Sequence, residues 1–158
     1  MKIPYVDLSA QWKEERDNLL PIIDEALLKG DFVAGEAIKE FERRVGKLCS
    51  VDYVVSLNSG TDALTLALHL SGVEKGDEVI TTPNSFIASA AVIAHLGAKP
   101  VFVDVLEDQN MDPSKLESAI TERTKAIMPV HLTGRMCEMD EIMRIADLHS
   151  IPVVEDAA

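Results

Sequence analysis

From residue 53 onward, short apolar runs alternate with segments of helical periodicity, and this rhythm constrains the fold more than any other feature. The apolar runs cover residues 53–57, 78–82, 100–105, 126–131 and 152–155. The helical segments between them cover residues 62–71, 85–96, 113–120 and 139–149. Strands that alternate with helices build βαβ units, in which the strands run parallel. The sequence therefore predicts an α/β fold with a mostly parallel sheet, and the continuously apolar runs predict helices on both of its faces.

Residues 1–52 have a different pattern, and we expect them to form an amino-terminal helical segment that precedes a sheet domain at 53–158. Two helices are predicted here, over residues 11–29 and 36–49. Pro21 is expected to kink the first helix or to restart it, because proline lacks the backbone N–H that a helix uses. Trp12 and Phe41 are expected to pack in a core, since the apolar residues around them recur at helical spacing.

The composition limits the classes of partner. The 158 residues include 27 acidic and 15 basic side chains, which gives a net charge of −12. Nonspecific binding to nucleic acid needs basic side chains, so that class is disfavoured. No apolar stretch is long enough to span a bilayer. The first residues do not read as a secretion signal, and the two cysteines form no CxxC pair, so a cytoplasmic location is expected.

Polar clusters follow the predicted strands at the point where each strand ends. They cover residues 58–62, 81–86, 131–135 and 155–158. Ligands of parallel α/β sheets bind beyond the carboxyl ends of the strands. We therefore expect these four clusters to contribute to one site.

The first cluster, Asn-Ser-Gly-Thr-Asp, joins a predicted strand to a predicted helix. The first N–H groups of a helix lack internal partners and carry partial positive charge, so they bind phosphate well. Gly60 permits close approach of a ligand because it has no Cβ, and the hydroxyl of Thr61 adds a donor. The alternative is that Ser59 and its neighbours only cap the helix.

Several other site types are poorly supported. The sequence has neither the GxGxxG of a dinucleotide site nor the GxxxxGK[ST] of a P-loop. His131 has no other metal-binding side chain at a useful spacing, so no metal site is expected, and a hydrogen-bonded structural histidine is favoured. Ser59 lacks the partners of a Ser-His-Asp hydrolase.

Phe86 and Asp156 fit a different chemistry. Phe86 follows the strand at 78–82, where its ring could face a ligand, although packing on a helix face is the simpler alternative. Asp156 ends an apolar strand, where a carboxylate is costly to bury unless it meets a cation or hydrogen-bond donors. A pyridoxal phosphate site needs a phosphate cup, an aromatic ring and a carboxylate for the pyridine nitrogen. The loop at 58–62, Phe86 and Asp156 could supply these three.

Six short phrases, in order and in register, resemble the DegT/DnrJ/EryC1/StrS family of sugar aminotransferases, which have the fold type I architecture of the aspartate aminotransferase superfamily. They are GTDAL at 60–64, GDEVITTP at 76–83, PVFVD at 100–104, TKAI at 124–127, PVHL at 129–132 and EDAA at 155–158. The resemblance covers nearly the whole chain, including the lead-in at 4–8. It implies that residues 53–158 form a truncated large domain of a pyridoxal phosphate-dependent transferase.

The resemblance also implies roles for individual residues. Gly60, Thr61 and Asp62 would hold the phosphate of pyridoxal phosphate, mainly through backbone N–H groups. Phe86 would stack on one face of the pyridine ring, and Ala158 would pack on the other. Asp156 would keep the ring nitrogen protonated, because a nearby anion favours the charged form.

The sequence departs from the family at its substrate contacts, around Asn84, Ser85 and Arg135, and in its extent. Family members are more than twice as long, and their Schiff-base lysine lies beyond the strand that ends at Asp156. No lysine of this chain occupies that position, so no catalytic residue is assigned, and the 158 residues are expected to be inactive alone. We further expect four paired strands, an unpaired strand at 53–57 and an exposed sheet edge, which favours aggregation.

The activity that the resemblance implies for the full-length protein is pyridoxal phosphate-dependent transfer of an amino group to a nucleotide-linked keto-sugar. The resemblance implies glutamate as the donor and a homodimer that completes each site. One alternative is a sugar dehydratase of the same fold, in which histidine replaces the lysine. Another is an inactive fragment that binds the cofactor weakly or serves as a regulatory or assembly partner.

Overall fold

The structure, a computed structural model, describes residues 3–30, 32–33 and 35–158. Internal contacts divide the chain into two units, Met1–Ser56 and Leu57–Ala158. The first contains two helices, and the second contains a small parallel sheet with helices on its two faces. No helix in the described part of the chain has both the length and the apolar character needed to cross a membrane.

The first unit consists of helices α1 (Leu8–Lys29) and α2 (Glu36–Cys49). Asp7 caps α1 by accepting the N–H of Ala10 at 3.0 Å, and α1 continues through Pro21, so the predicted restart does not occur. The predicted bounds of α2 are confirmed. The packing predicted for Trp12 and Phe41 is wrong: they are 44% and 57% exposed. Two helices provide no further layer within the unit to cover both apolar faces.

The second unit is built on strands β1 (Glu78–Thr81), β2 (Lys99–Phe102) and β3 (Thr124–Ile127). Their order is β2-β1-β3, and both pairings are parallel. Ile80 of β1 is paired with Val101 on one side and Ile127 on the other. The α/β class and the parallel sheet predicted from the sequence are confirmed.

Two of the five predicted strands differ in the structure. Residues 152–155 form no full strand, although two isolated parallel bridges, Ile127 with Val153 and Val130 with Asp156, place this segment beside β3. Residues 53–57 are not a strand, so that prediction is wrong, and Tyr53 and Val55 are largely exposed. None of the described residues pairs with this segment, as expected from the sequence, and a strand needs a neighbour for its backbone N–H and C=O groups.

The second unit has four helices in the predicted order, with α3 before β1 and one helix after each of the three strands. They are α3 (Gly60–Leu70), α4 (Ile87–His95), α5 (Leu116–Ala119) and α6 (Met139–His149). Single 3₁₀ turns occur at Pro113–Lys115, just before α5, and at Leu132–Gly134. Asp112 caps the first of these turns by accepting the N–H of Ser114 at 2.9 Å, with Pro113 in its first position.

Adjacent strand residues point to two separate cores, which is why helices cover both faces. Val79 belongs to a buried cluster with Leu68 of α3 and Val92 of α4. Its neighbour Ile80 belongs to a second cluster with Leu116 of α5 and Ile142 of α6, on the other side. Successive side chains of a strand alternate between faces, so this division follows from the backbone. The candidate site lies at the carboxyl ends of the strands, where the starts of α3 and α4 also lie.

Candidate functional site

The amino terminus of α3 is capped by Ser59, whose Oγ accepts the N–H of Asp62 at 3.1 Å. Ser59 has extended backbone angles, with φ −155° and ψ 154°, as an N-cap residue requires. The capping interpretation of Ser59 is therefore confirmed. Asp62 donates its N–H to this cap and does not line the cavity described below. Gly60 and Thr61 are the first two residues of α3, and both line that cavity.

Four separate segments of the chain line one cavity of about 290 Å³. Five of the six residues proposed from the sequence lie on its wall: Gly60, Thr61, Phe86, Asp156 and Ala158. An added Cβ on Gly60 would lie 3.9 Å from the Cβ of Ala158, so the start of α3 and the 156–158 segment face each other closely. The topology thus brings together residues that are almost 100 positions apart.

The cavity wall also contains residues that sequence reasoning did not select. They are Leu64, Ser85, Ala88, Val130, Leu132 and Thr133. Ser85, Leu132 and Thr133 lie within the polar clusters at the strand ends, so position alone could have identified them. Leu64 and Ala88 lie inside helices, where an apolar side chain is indistinguishable from a core residue in the sequence.

Asp156 is the buried carboxylate of the cavity, with 6% of its surface exposed. Ser89 Oγ donates to its Oδ2 at 2.7 Å, and the N–H of Ala158 lies 3.3 Å from its Oδ1. Its backbone is fixed by the carbonyl of Pro129, at 2.9 Å, and by the N–H of His131, at 3.0 Å. No ion pair involves Asp156 within residues 3–30, 32–33 and 35–158. A buried carboxylate without a cation is costly, so this site favours a cationic or donor ligand.

Phe86 contributes an aromatic ring that is not used in the core. It is the N-cap residue of α4, has extended backbone angles and is 76% exposed. The helix-packing alternative for Phe86 is therefore not supported. A large exposed ring at a cavity can cover the face of a flat ligand by offset stacking.

His131 lies beside this region but has two hydrogen-bond partners. The N–H of Cys137 donates to its Nδ1 at 3.2 Å, so Nε2 carries the proton in the neutral ring and donates to Glu155 at 2.8 Å. The prediction of a hydrogen-bonded structural histidine is confirmed. Burial raises the pKa of the Cys137 thiol, which donates to the carbonyl of Val130. In the described residues no group of three or more His, Cys, Asp or Glu could hold a metal.

Asn110 fixes the loop that supplies Leu132 and Thr133 to the cavity. Its side-chain amide donates to the carbonyls of Arg135 and Met136, at 3.1 and 3.2 Å, and accepts the N–H of Leu132 at 3.1 Å. Asn110 is almost fully buried. Thr133 adopts φ 56°, an unusual angle for a residue other than glycine, so the loop depends on this support.

A cavity of similar size, about 280 Å³, lies in the first unit but has a different character. Its wall is formed by the end of α1, the start of α2 and residues between them. Its charged groups include Lys29 and Glu25, which form an ion pair with each other at 2.6 Å. The wall of the cavity at Asp156, by contrast, contains a buried carboxylate that has no ion-pair partner among the described residues.

The residues around Asp156 fit pyridoxal phosphate by their chemistry. The amino terminus of α3 suits a phosphate, the exposed ring of Phe86 suits the face of a pyridine ring, and the unpaired carboxylate of Asp156 suits a protonated ring nitrogen. No lysine is present among the described residues that line the cavity. The groups on the cavity wall thus suit this cofactor chemically, while the described residues add no lysine amine to them.

Comparison with known proteins gives one family and a consistent set of relatives. The model of the DegT/DnrJ/EryC1/StrS aminotransferase family matches residues 13–158. A pleiotropic regulatory protein of Geobacillus stearothermophilus is 42% identical over 159 residues, which cover 100% of this chain and 43% of that protein. The dTDP-3-amino-3,4,6-trideoxy-alpha-D-glucose transaminase of Streptomyces venezuelae is 40% identical, with coverage of 99% and 42%. The chain thus spans about two fifths of the length of these relatives.

Solved structures agree with this result. S. venezuelae DesV in complex with a ketimine intermediate superimposes with a TM-score of 0.95 at 40% identity, covering 99% of this chain and 43% of that chain. NtdA of Bacillus subtilis with bound cofactor PMP gives a TM-score of 0.94 at 35% identity, covering 99% and 36%. The fold is therefore that of part of an aminotransferase. One of the two related structures, NtdA, contains the bound cofactor PMP.

Proposed function

The chain belongs to the DegT/DnrJ/EryC1/StrS aminotransferase family, and from this premise we propose that it supplies the cofactor-binding part of a sugar aminotransferase. The cofactor is pyridoxal phosphate, the acceptor is a nucleotide-linked keto-sugar, and glutamate is the amino donor. The names of two relatives, a dTDP-sugar transaminase and a UDP-sugar aminotransferase, support the nucleotide-linked substrate. A homodimer, as expected from the resemblance, is part of the same proposal.

One observation carries this proposal. A single cavity is lined by the start of a helix, an exposed aromatic ring and a buried carboxylate without an ion-pair partner in the described chain. Each of these features has a common structural explanation when it occurs alone. Their convergence on one space of about 290 Å³ matches the three chemical parts of pyridoxal phosphate.

Each residue has a defined role in this proposal. Gly60 and Thr61 bind the phosphate through the first N–H groups of α3 and the threonine hydroxyl. Phe86 and Ala158 bind the two faces of the ring and exclude water from them. The role of Asp62 in phosphate binding stays a prediction, since its N–H already serves the cap.

Asp156 holds a proton at the ring nitrogen. An anion in a nearly buried site strongly favours a cation at hydrogen-bond distance, because few water molecules screen the pair. When bound, pyridoxal phosphate supplies an electron sink for the α-carbon of an amino acid. Asp156 maintains the charged ring that this chemistry requires. Because no described lysine lines the cavity, we propose that these residues bind the cofactor without catalysing amino transfer by themselves.

Titration of the 158-residue chain with pyridoxal phosphate tests this function, with protein fluorescence and visible absorption as readouts. Phe86→Ala and Asp156→Ala are each expected to weaken binding about tenfold or more, since each removes one main contact. Phe102→Ala is the matched control, because Phe102 is half exposed and lies outside the cavity. Equal binding by all four proteins would contradict the proposal.

Borohydride treatment of the loaded chain, followed by mass spectrometry, tests the lack of a reactive lysine. We expect no stoichiometric adduct at any one lysine. A defined adduct would show that the chain supplies its own amine, and would overturn the proposal that it is inactive alone.

A regulatory role is a second candidate, favoured by the 42% identity with the pleiotropic regulatory protein of G. stearothermophilus. In that case the same cavity would serve a binding function without amino transfer. The titration distinguishes a protein that binds pyridoxal phosphate from one whose cavity has another use, and a sugar-dependent amino-transfer assay of the complete protein distinguishes enzyme from regulator.

A further inference from the structure

Three side chains form a continuous hydrogen-bonded chain beneath the cavity wall. Ser89 Oγ donates to Asp156 Oδ2 at 2.7 Å, and the Oγ atoms of Ser85 and Ser89 lie 2.7 Å apart. Ser85 and Asp156 line the cavity, whereas Ser89 is 1% exposed and lies behind them. Ser89 is therefore a buried link between two groups that can touch a ligand.

The direction of these hydrogen bonds follows from proton counting. An ionised carboxylate only accepts, and a serine hydroxyl has one proton to donate. Ser89 donates its proton to Asp156, so it must accept from Ser85. Ser85 has then used its own proton, and its remaining lone pairs can only accept. At this side of the cavity, Ser85 and Asp156 therefore both present hydrogen-bond acceptors to a ligand.

Ser89 also connects the carboxylate to the aromatic ring. Its backbone N–H donates to the carbonyl of Phe86 at 3.2 Å, in the first turn of α4. Ser89 thus forms one hydrogen bond to Phe86 through its backbone and another to Asp156 Oδ2 through its side chain. With Oδ1 near the N–H of Ala158, both carboxylate oxygens are oriented, and each retains a free lone pair.

We propose that Ser89 is a positioning residue that sets the orientation of Asp156 relative to the ring of Phe86. The ligand class that fits is a flat heteroaromatic ring that carries an N–H donor. The inference rests on the function proposed above, because it concerns how the same cavity recognises the ring nitrogen. Ser89 contacts the ligand only through Asp156 and Ser85.

The test compares two ligands that differ at one atom. The chain is titrated with pyridoxal phosphate and with its carbocyclic analogue, in which C–H replaces the ring nitrogen. Ser89→Ala is expected to weaken binding of pyridoxal phosphate about tenfold and binding of the analogue less than about twofold, since one hydrogen bond to a charged group is lost. Ser85→Ala is expected to have a smaller effect, about threefold, because Ser89 keeps its own bond to Asp156.

Two variants serve as references. Ser89→Thr keeps the hydroxyl and is expected to retain the preference for the ring nitrogen. Ser118→Ala removes a helical serine hydroxyl that lies outside the cavity and is expected to bind both ligands as the unchanged chain does. Equal weakening of both ligands by Ser89→Ala would indicate a packing effect and would overturn the inference.

A readout without any ligand completes the test. Urea unfolding is measured for Ser89→Ala, Asp156→Ala and the double variant. Ser89→Ala is expected to lower the folding equilibrium constant about fivefold when Asp156 is present and less than about twofold when it is absent. If the effects of Ser89→Ala and Asp156→Ala on stability are additive, the inference is overturned but the proposed function is not affected. If the unchanged chain binds neither ligand, both the proposed function and this inference fail. If the unchanged chain binds pyridoxal phosphate and Ser89→Ala binds it with the same affinity, only the inference fails.

Discussion

Two nearly buried carboxylates in the second unit have opposite surroundings. Glu78, at the amino end of β1, is 2% exposed and accepts from Arg123 and Thr121, each at 2.7 Å, and from Lys99 at 3.3 Å. The hydrogen bonds from Arg123 and then Thr121 lower the pKa of Glu78 to about 2. Asp156, at the other end of the sheet, accepts only from uncharged donors in the described chain. The cationic partners of Glu78 are thus side chains of the protein itself. The surroundings of Asp156 suit a cationic group that belongs to a ligand.

Glu78 is expected to make the stability of the protein depend on pH in the acid range. Its pKa in the folded protein lies below the ordinary 4.5, so folding favours the ionised form. The contribution is fully present above about pH 4.5 and is lost as the pH falls through about 2. In urea unfolding, Glu78→Gln should be less stable than the unchanged chain at pH 7, with the difference shrinking towards pH 2.

Glu122→Gln provides the control for this series, because Glu122 is an exposed glutamate next to Arg123 in the sequence. We expect its stability to follow that of the unchanged chain at every pH. A constant difference between Glu78→Gln and the unchanged chain from pH 7 to pH 2 would show that ionisation of Glu78 does not contribute.

At the scale of elements, α3 has two functions that use different parts of it. Its amino terminus, capped by Ser59, forms one wall of the cavity. Its apolar side packs on the sheet through Leu64 and Leu68, which are 8% and 0% exposed. The packing of the helix therefore determines where its first N–H groups lie.

Two leucines on α3 give a matched test of this packing. Leu68→Ala is expected to destabilise the protein by about 2–5 kcal/mol, because it leaves a cavity in the core beside Val79. Leu70→Ala, two residues away and 83% exposed, is expected to cost less than about 0.5 kcal/mol. Thermal or urea unfolding measures both. Similar losses for the two variants would mean that α3 does not pack as the structure shows.

Sequence reasoning predicted the elements whose signals are local. The bounds of α2 and α6 agree with the predicted residues 36–49 and 139–149, because their apolar residues recur at helical spacing. It failed at residues 53–57, which have the composition of a strand. Whether such a run becomes a strand depends on a neighbour, and no local pattern contains that information.

The residues of the candidate site divide in the same way, into those that have a local signal in the sequence and those that do not. Gly60, Phe86 and Asp156 were selected from their positions after predicted strands, and the structure brings them to one cavity. Ser89 was not selected, because a serine inside an apolar helix gives no sign of what it faces. Its partner Asp156 is 67 residues away in the chain, and only the folded sheet brings the two together.

At the scale of the whole molecule, the two units differ in how much apolar surface they bury. The second unit contains two buried clusters, one on each side of the sheet. In the first unit, α1 has no buried residue among those described, and Ile22 and Leu28 are 63% and 80% exposed. Stability that comes from burial must therefore be concentrated in residues 57–158.

Hydrogen exchange of the full 158-residue chain is expected to show this difference. Amides of β1 and β3 should exchange at least about tenfold more slowly than those of α1, because regions with few buried contacts open at low free energy. Mass spectrometry of peptides from α1 and β1 in the same sample provides an internal comparison. Equal protection of the two peptides would indicate that α1 is as well buried as the sheet.

The isolated bridge between Val130 and Asp156 has a consequence for how the protein is made. A ribosome releases the chain from its amino end, so the start of α3 and the ring of Phe86 leave the exit tunnel well before Asp156 does. The nascent chain can assemble its central strands early, but the cavity still lacks one wall. The cavity is therefore complete only after the 156–158 segment has emerged and settled beside β3, so a ligand that needs Asp156 cannot be bound before that point of synthesis.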